Sequence, residues 1–239
     1  MSIINIFLLL CYILIQSEQT DTLPFYHGSR LEKKIALTFD VCPSSTHGGF
    51  DAQIVHTLVD SGVSATFFLS GKWIVKHRHE ANILATTKGF EIGNHSYSHP
   101  HCITISDDSI QHELQRTESL LQSIGTISSK LFRPPYGETD KRIEQIVQKL
   151  GFTTVMYDLA SGDPDSTISK ERLIKHVTSH ARNGSIVIMH VNGRGWHTAE
   201  ALPEIIQELH KKGFVFVNVS DLLKVKGIGN YSPIDKKNR

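Results

Sequence analysis

From Leu31 onward the chain alternates short β-branched or aromatic runs with longer amphipathic stretches. That alternation marks strand–helix units laid around a parallel sheet. It predicts seven strands: Lys34–Val41, Ala65–Ser70, Glu91–Asn94, Lys130–Arg133, Thr153–Asp158, Ser185–His190 and Phe214–Val219. Between them the apolar spacing predicts helices over Asp51–Ser61, Asp107–Ser123, Asp140–Leu150, Lys170–Arg182 and Ala199–Lys212. Ser106 is placed to cap the second of these helices, with acids in its first turn. Gly125, Gly151 and Gly213 stand just past helix ends, where a left-handed residue is expected. No GxGxxG turn follows a strand. The expected fold is therefore α/β, with the strands in a barrel or other closed parallel arrangement rather than a dinucleotide-binding sheet.

The N-terminus follows a different pattern. An apolar run from Ile3 to Ile15, broken only by Asn5, gives way to polar residues. It is shorter than the about 20 residues a bilayer span needs and suits the apolar region of a signal peptide. The region before it has no Lys or Arg, and cleavage is expected near Ser17. An uncleaved membrane anchor is the alternative. Cys11 follows Leu10 rather than a small residue, which argues against lipidation. The expected organisation is a signal peptide or anchor over 1–17, one domain over 30–224 and a polar tail over 225–239, in a secreted or periplasmic protein.

Composition narrows the partners. At 239 residues, with 39% hydrophobic and 21% charged residues, the chain is long enough for one substantial core. A net charge of +1, with acids and bases dispersed, offers no basic block for a phosphate backbone, so nucleic acid is not an expected partner. Fourteen histidines supply many possible metal ligands and proton carriers. Beyond the N-terminal run, Cys42 and Cys102 form no CxxC pair, so no zinc-finger site is expected. Whether they pair in an oxidising compartment is left open.

In parallel α/β folds chemistry gathers at the C-terminal ends of strands. Asp40, His95, Arg133, Asp163 and His190 each lie at or just after such an end. In NHSYSHP, His95 and His99 are four apart, so both imidazoles reach one side and one ion at about 2.0–2.1 Å, unless both are surface histidines. Asp40 ends a very apolar strand, where an unpaired carboxylate is costly, though a turn-capping role also fits. Arg133 in RPPYG offers a planar fork suited to a carboxylate, or else decorates a proline-stiffened turn. His190 ends SIVIMHV as either a core histidine or a proton donor.

Taken in order, TFDVCP, HSYSH, RPPYG, SGDPD and IMH followed by HTAEALPEII resemble the polysaccharide deacetylase family, the NodB-homology or carbohydrate esterase family 4 domain, over about Lys33 to Leu223. The resemblance implies a distorted (β/α) barrel of about seven parallel strands. It also implies a divalent metal, usually zinc-like, on His95 and His99. Asp40 would be the general base, Arg133 would orient Asp40, His190 would be the general acid, and Asp163 would orient His190. Backbone N–H near Tyr136 would complete an oxyanion site. The implied reaction is N-deacetylation of N-acetylglucosamine-type residues in peptidoglycan or a chitin-like glycan. Alternatives are hydrolysis of another acyl or cyclic amide or an O-acetyl ester, and an inactive glycan-binding module.

The chain departs from the family pattern. Val41 stands where a second, metal-binding aspartate is usual, Cys42 replaces a usual glycine, and Pro164 replaces a common aromatic. Asp51, beyond Gly48 and Gly49, is the expected third ligand, with His47 a weaker choice, but Asp51 is equally placed to cap the helix that follows. Trp196 and His197 follow His190 closely, and Trp196 is expected either to stack on a sugar face or simply to cover the barrel.

Overall fold

The structure is a computed structural model and describes residues 23–43, 49–126 and 128–224. The N-terminal segment 1–17, His47 and the tail 225–239 lie outside the described residues. The strands are β1 (Lys34–Val41), β2 (Ala65–Leu69), β3 (Phe90–Asn94), β4 (Leu131–Phe132), β5 (Thr153–Thr154), β6 (Leu159–Ala160), β7 (Ile186–His190) and β8 (Val215–Phe216). All pair in parallel, in the order β5-β4-β3-β2-β1-β7-β6, with β8 beside the start of β1. The sheet curls into a partial barrel, the distorted (β/α) barrel expected.

The helices are α1 (Ala52–Asp60), α2 (Gly71–Lys76), α3 (Arg78–Thr86), α4 (Asp107–Ser123), α5 (Lys141–Lys149), α6 (Lys170–His180), α7 (Thr198–Lys211) and α8 (Val219–Leu223). Side-chain oxygens of Asp51, Ser106, Asp140 and Ser169 accept from amides in the first turns of α1, α4, α5 and α6, satisfying donors that a helix start leaves unpaired. The short helices α2 and α3 were not singled out from the sequence: α2 has only six residues, and α3 buries only Ala81 and Leu84. α2 forms where Gly71 lets the chain pass close to Tyr97, since a Cβ at residue 71 would lie 2.2 Å from that ring.

Three strand expectations change, the first being Lys130–Arg133, which shortens to Leu131–Phe132. Thr153–Asp158 pairs as a strand only at Thr153–Thr154, and the separate β6 joins β7 on the other side of the sheet. The intervening backbone has other partners: Val155 and Met156 carbonyls accept from the Arg133 guanidinium at 3.3 and 3.1 Å. The Asp158 carboxylate accepts from the Ile186 amide at 2.8 Å and from Arg30 at 2.7 Å. The expected Phe214–Val219 strand likewise shortens to Val215–Phe216, with Val219 opening α8.

Strand alternation sorts β1 into two faces. Ile35, Leu37, Phe39 and Val41 pack into the main core with residues of α1 and α7 such as Leu58, Leu202 and Ile205. Ala36 packs on the other face with Phe68, Leu131, Val155 and Ile186. Thr38 and Asp40 share the parity of Ala36, so the inner face of β1 ends in polar side chains.

Candidate active site

The C-terminal ends of β1, β3, β4 and β7 bring together the residues that the sequence leaves scattered. Arg133 follows β4 and is fully buried, with all three guanidinium nitrogens hydrogen-bonded. Nη1 donates to Asp40 Oδ1 at 2.8 Å and to Thr38 Oγ1 at 2.7 Å, and Nε and Nη2 donate to the Val155 and Met156 carbonyls. The guanidinium also lies over the Phe68 ring, 4.1 Å from its centroid. A buried carboxylate survives only when so paired. Burial pushes the Asp40 carboxyl upward, but the charges of Arg133, His95 and His190 and the Arg133 hydrogen bond outweigh it and hold Asp40 below the ordinary range.

His95 follows β3 and is buried. Its Nδ1 lies 2.7 Å from the Arg133 carbonyl, which can only accept, so Nδ1 carries the proton and Nε2 presents its lone pair. Nε2 faces Asp40 Oδ2 at 3.6 Å and Cys42 Sγ at 3.7 Å. Burial lowers the His95 pKa, against the pull of Asp40. The loop that carries on to His99 is held by Glu113, whose carboxylate accepts from the Tyr97 and Ser98 amides and the Ser98 hydroxyl. Ser96 and His99 both sit at φ 61°, a conformation costly for residues with a side chain. The two imidazoles meet edge to face with centroids 5.0 Å apart. Burial and the neighbouring His95 push His99 down to about 3. Both rings are thus biased toward the neutral form that ligates metals.

His190 ends β7, and its Nδ1 lies 2.9 Å from Asp163 Oδ1. Asp163 is itself fixed: Oδ2 accepts from the His190 amide and the Thr198 hydroxyl, each at 2.7 Å, and Oδ1 accepts from Ser161 at 3.0 Å. Gly195 makes room for this cluster, because a Cβ there would stand 2.6 Å from Asp163 Oδ2. Burial alone would lower the His190 pKa, but the charge and hydrogen bond of Asp163, with Asp40 adding, raise it above the ordinary value.

Tyr136 lies in the turn after Arg133 at φ 59°, its half-exposed ring stacked on His101 with centroids 3.9 Å apart and edge-on to His99 at 4.6 Å. Trp196 is also half exposed, and its amide donates to the Asp163 carbonyl at 3.0 Å. Cys42 and Cys102 are both free thiols, so they do not pair. Cys42 lies in the site, and Cys102 packs in the separate cluster beneath α4 and α5.

Asp51 is where the structure departs from the expected ligand set. Its carboxylate accepts from the Gln53 amide at 3.0 Å as the cap of α1, and its own amide donates to the Val191 carbonyl at 2.8 Å. Among the described residues, the group with metal-ligand geometry is Cys42, His95 and His99, whose donor atoms all lie within 4.8 Å of one another. One thiol and two imidazoles form a donor set that suits a zinc-like ion. The residues present therefore fit a metal. Thr38, Thr198, Glu113 and Cys42 were not singled out for these positions in the sequence, since each acts through a partner distant along the chain; Ser161, a near neighbour of Asp163, was not singled out either.

A parallel barrel carrying an Asp–Arg pair, a His–Asp pair and two converging histidines at one end has the layout of a hydrolase of the carbohydrate esterase type. The family model described as polysaccharide deacetylase matches residues 27–155, over half of the chain, and the chain belongs to that family. The peptidoglycan-N-acetylmuramic acid deacetylase PdaA of Bacillus subtilis is 31% identical over 83% of this chain and 74% of its own. A peptidoglycan-N-acetylglucosamine deacetylase of Bacillus cereus is 30% identical over 82% of this chain and 90% of its own. A bifunctional xylanase/deacetylase of Pseudobutyrivibrio xylanivorans is 31% identical over 82% of this chain, which spans only 31% of that protein. Among solved structures, BA3943 of Bacillus anthracis, a family 4 pseudoenzyme, superposes with a TM-score of 0.76 at 28% identity, covering 84% of this chain and 69% of its own. A mutant of it with restored enzymatic activity gives a TM-score of 0.77.

Proposed function

We propose that the protein is a metal-dependent hydrolase that removes N-acetyl groups from N-acetylglucosamine-type residues of peptidoglycan or a chitin-like glycan. The observation that carries this reading is one site on which Arg133 pairs with the Asp40 carboxylate at 2.8 Å, favouring its ionised form, and Asp163 pairs with the His190 imidazole at 2.9 Å, favouring its protonated form, beside the converging imidazoles of His95 and His99. Hydrolysis of an unactivated amide needs both a base for the attacking water and an acid for the departing amine. A divalent ion on His95, His99 and a third donor would polarise the acetyl carbonyl and lower the pKa of water.

The side chains of this chain do the rest. Asp40, oriented by Arg133, takes the proton of the water whose oxygen attacks the acetyl carbon. His190, oriented by Asp163, gives its Nε2 proton to the sugar nitrogen as the C–N bond breaks, leaving acetate and the free amine. Tyr136 and Trp196, both half exposed, are the side chains proposed to contact the sugar, with the Tyr136 backbone amide serving the oxyanion. Acetate release from chitooligosaccharides, with and without a chelator, tests the reading: release abolished by chelation and restored by zinc is expected, and no release from metal-loaded protein overturns it.

Two observations favour a second reading as a glycan-binding pseudoenzyme: Val41 offers no donor, and BA3943 is a pseudoenzyme with the same fold. Retained glycan binding without acetate release is its signature. The glycan substrate also goes with export through the segment 1–17, which cell fractionation tests: protein confined to the cytosol would overturn it.

A further inference from the structure

We propose that the thiolate of Cys42 is the third protein ligand of the divalent ion, so that this chain builds a Cys–His–His site. The proposal rests on the metal-dependent reading above and concerns which atoms hold the ion.

Strand parity is the first reason. Val41 faces the helix-covered core and is wholly buried among apolar side chains. Cys42, two residues past Asp40, falls on the same side of the chain as the base. The Asn192 side-chain amide donates to the Cys42 carbonyl at 2.7 Å and fixes that turn of chain.

Distance is the second. A tetrahedral ion with a sulfur at about 2.3 Å and a nitrogen at about 2.0–2.1 Å sets the two donors about 3.6 Å apart. Cys42 Sγ and His95 Nε2 are 3.7 Å apart. The nitrogen is also the correct one, since Nδ1 is committed to the Arg133 carbonyl and Nε2 has the free lone pair.

Charge and occupancy complete the case. Two neutral imidazoles bring no negative charge to a divalent ion, and a thiolate supplies it while leaving Asp40 to Arg133 and to water. Asp51, the competing donor, is engaged as the cap of α1. A thiolate ligand biases the site toward zinc or cobalt over magnesium or calcium.

The test uses the full chain, stripped by chelator and reloaded with cobalt(II). A Cys11→Ser/Cys102→Ser double variant, in which Cys42 is the remaining cysteine, is expected to show a sulfur-to-cobalt charge-transfer band in the near ultraviolet. Cys42→Ser should lose the band and weaken zinc binding by more than the roughly 100-fold that loss of an outer-shell partner costs. Asp51→Ala should keep band and affinity and lower only the melting temperature. Failure of the double variant to bind cobalt, cobalt binding without a sulfur band, or loss of metal in Asp51→Ala would each overturn the assignment, whether or not Cys42→Ser folds. Acetate release measured on the same samples separates the two proposals: a sulfur band without release leaves the ligand standing and sinks the deacetylase reading, and release without a band does the reverse.

Discussion

Asp40 on β1 and His190 on β7 are register partners on adjacent parallel strands, the last pair before the two strands part. Each is tied on its far side to an opposite charge, Asp40 to Arg133 at 2.8 Å and His190 to Asp163 at 2.9 Å. The sheet thus sets a carboxylate and an imidazole side by side at the barrel mouth, while the outer partners favour the ionised form of the first and the protonated form of the second.

Asp40→Asn removes the proposed base and leaves both histidines. Turnover should fall by about 10²–10⁴-fold, the usual contribution of a positioned base, with metal content and circular dichroism unchanged. Acetate release near that of the parent would refute the assignment.

His190→Ala should slow amide hydrolysis far more than hydrolysis of an activated aryl acetate, because a good leaving group departs with little protonation. Comparing kcat for the two substrates decides it; equal losses would make His190 a structural residue.

The pH profile follows from the two shifts. As the proposed base, Asp40 acts when ionised, and its pKa is lowered, so its limb lies on the acid side, below the ordinary carboxylate value of 3.8. His190 is active when protonated and its pKa is raised above 6.5, so kcat/KM should hold through neutral pH and fall as pH rises through that raised value. Asp163→Asn removes the main cause of the rise and should move the alkaline limb to lower pH. An unmoved limb would assign it to another group.

Arg133→Met should cost about 3–5 kcal/mol of stability, the usual penalty for leaving one member of a buried ion pair without its partner. The loss should shrink in the Arg133→Met/Asp40→Asn double variant, where no buried charge is stranded. Urea unfolding of the variants measures the coupling.

Much of this protein is legible in its sequence because the signals are local. The apolar runs of β1 and β7 and the periodic helices α4 and α7 show themselves within a few residues. The placing of Asp40, His95, Arg133 and His190 at strand ends follows from where those runs stop. Caps are equally local, which is why Ser106 was readable. What the sequence alone could not decide depends on contacts between distant segments. The Val155 amide still donates to the Phe132 carbonyl, but the Val155 and Met156 carbonyls turn to Arg133, so β5 stops short and β6 appears elsewhere in the sheet. The proposed third donor is the clearest case. By chain distance and loop freedom Asp51 was the expected donor, with His47 behind it, and Cys42 stood out only as the replacement of a usual glycine. Only the pairing of β1 with β2, and of β2 with β3, brings Cys42 against His95, fifty-three residues away, while the start of α1 binds the Asp51 carboxylate to its own first turn.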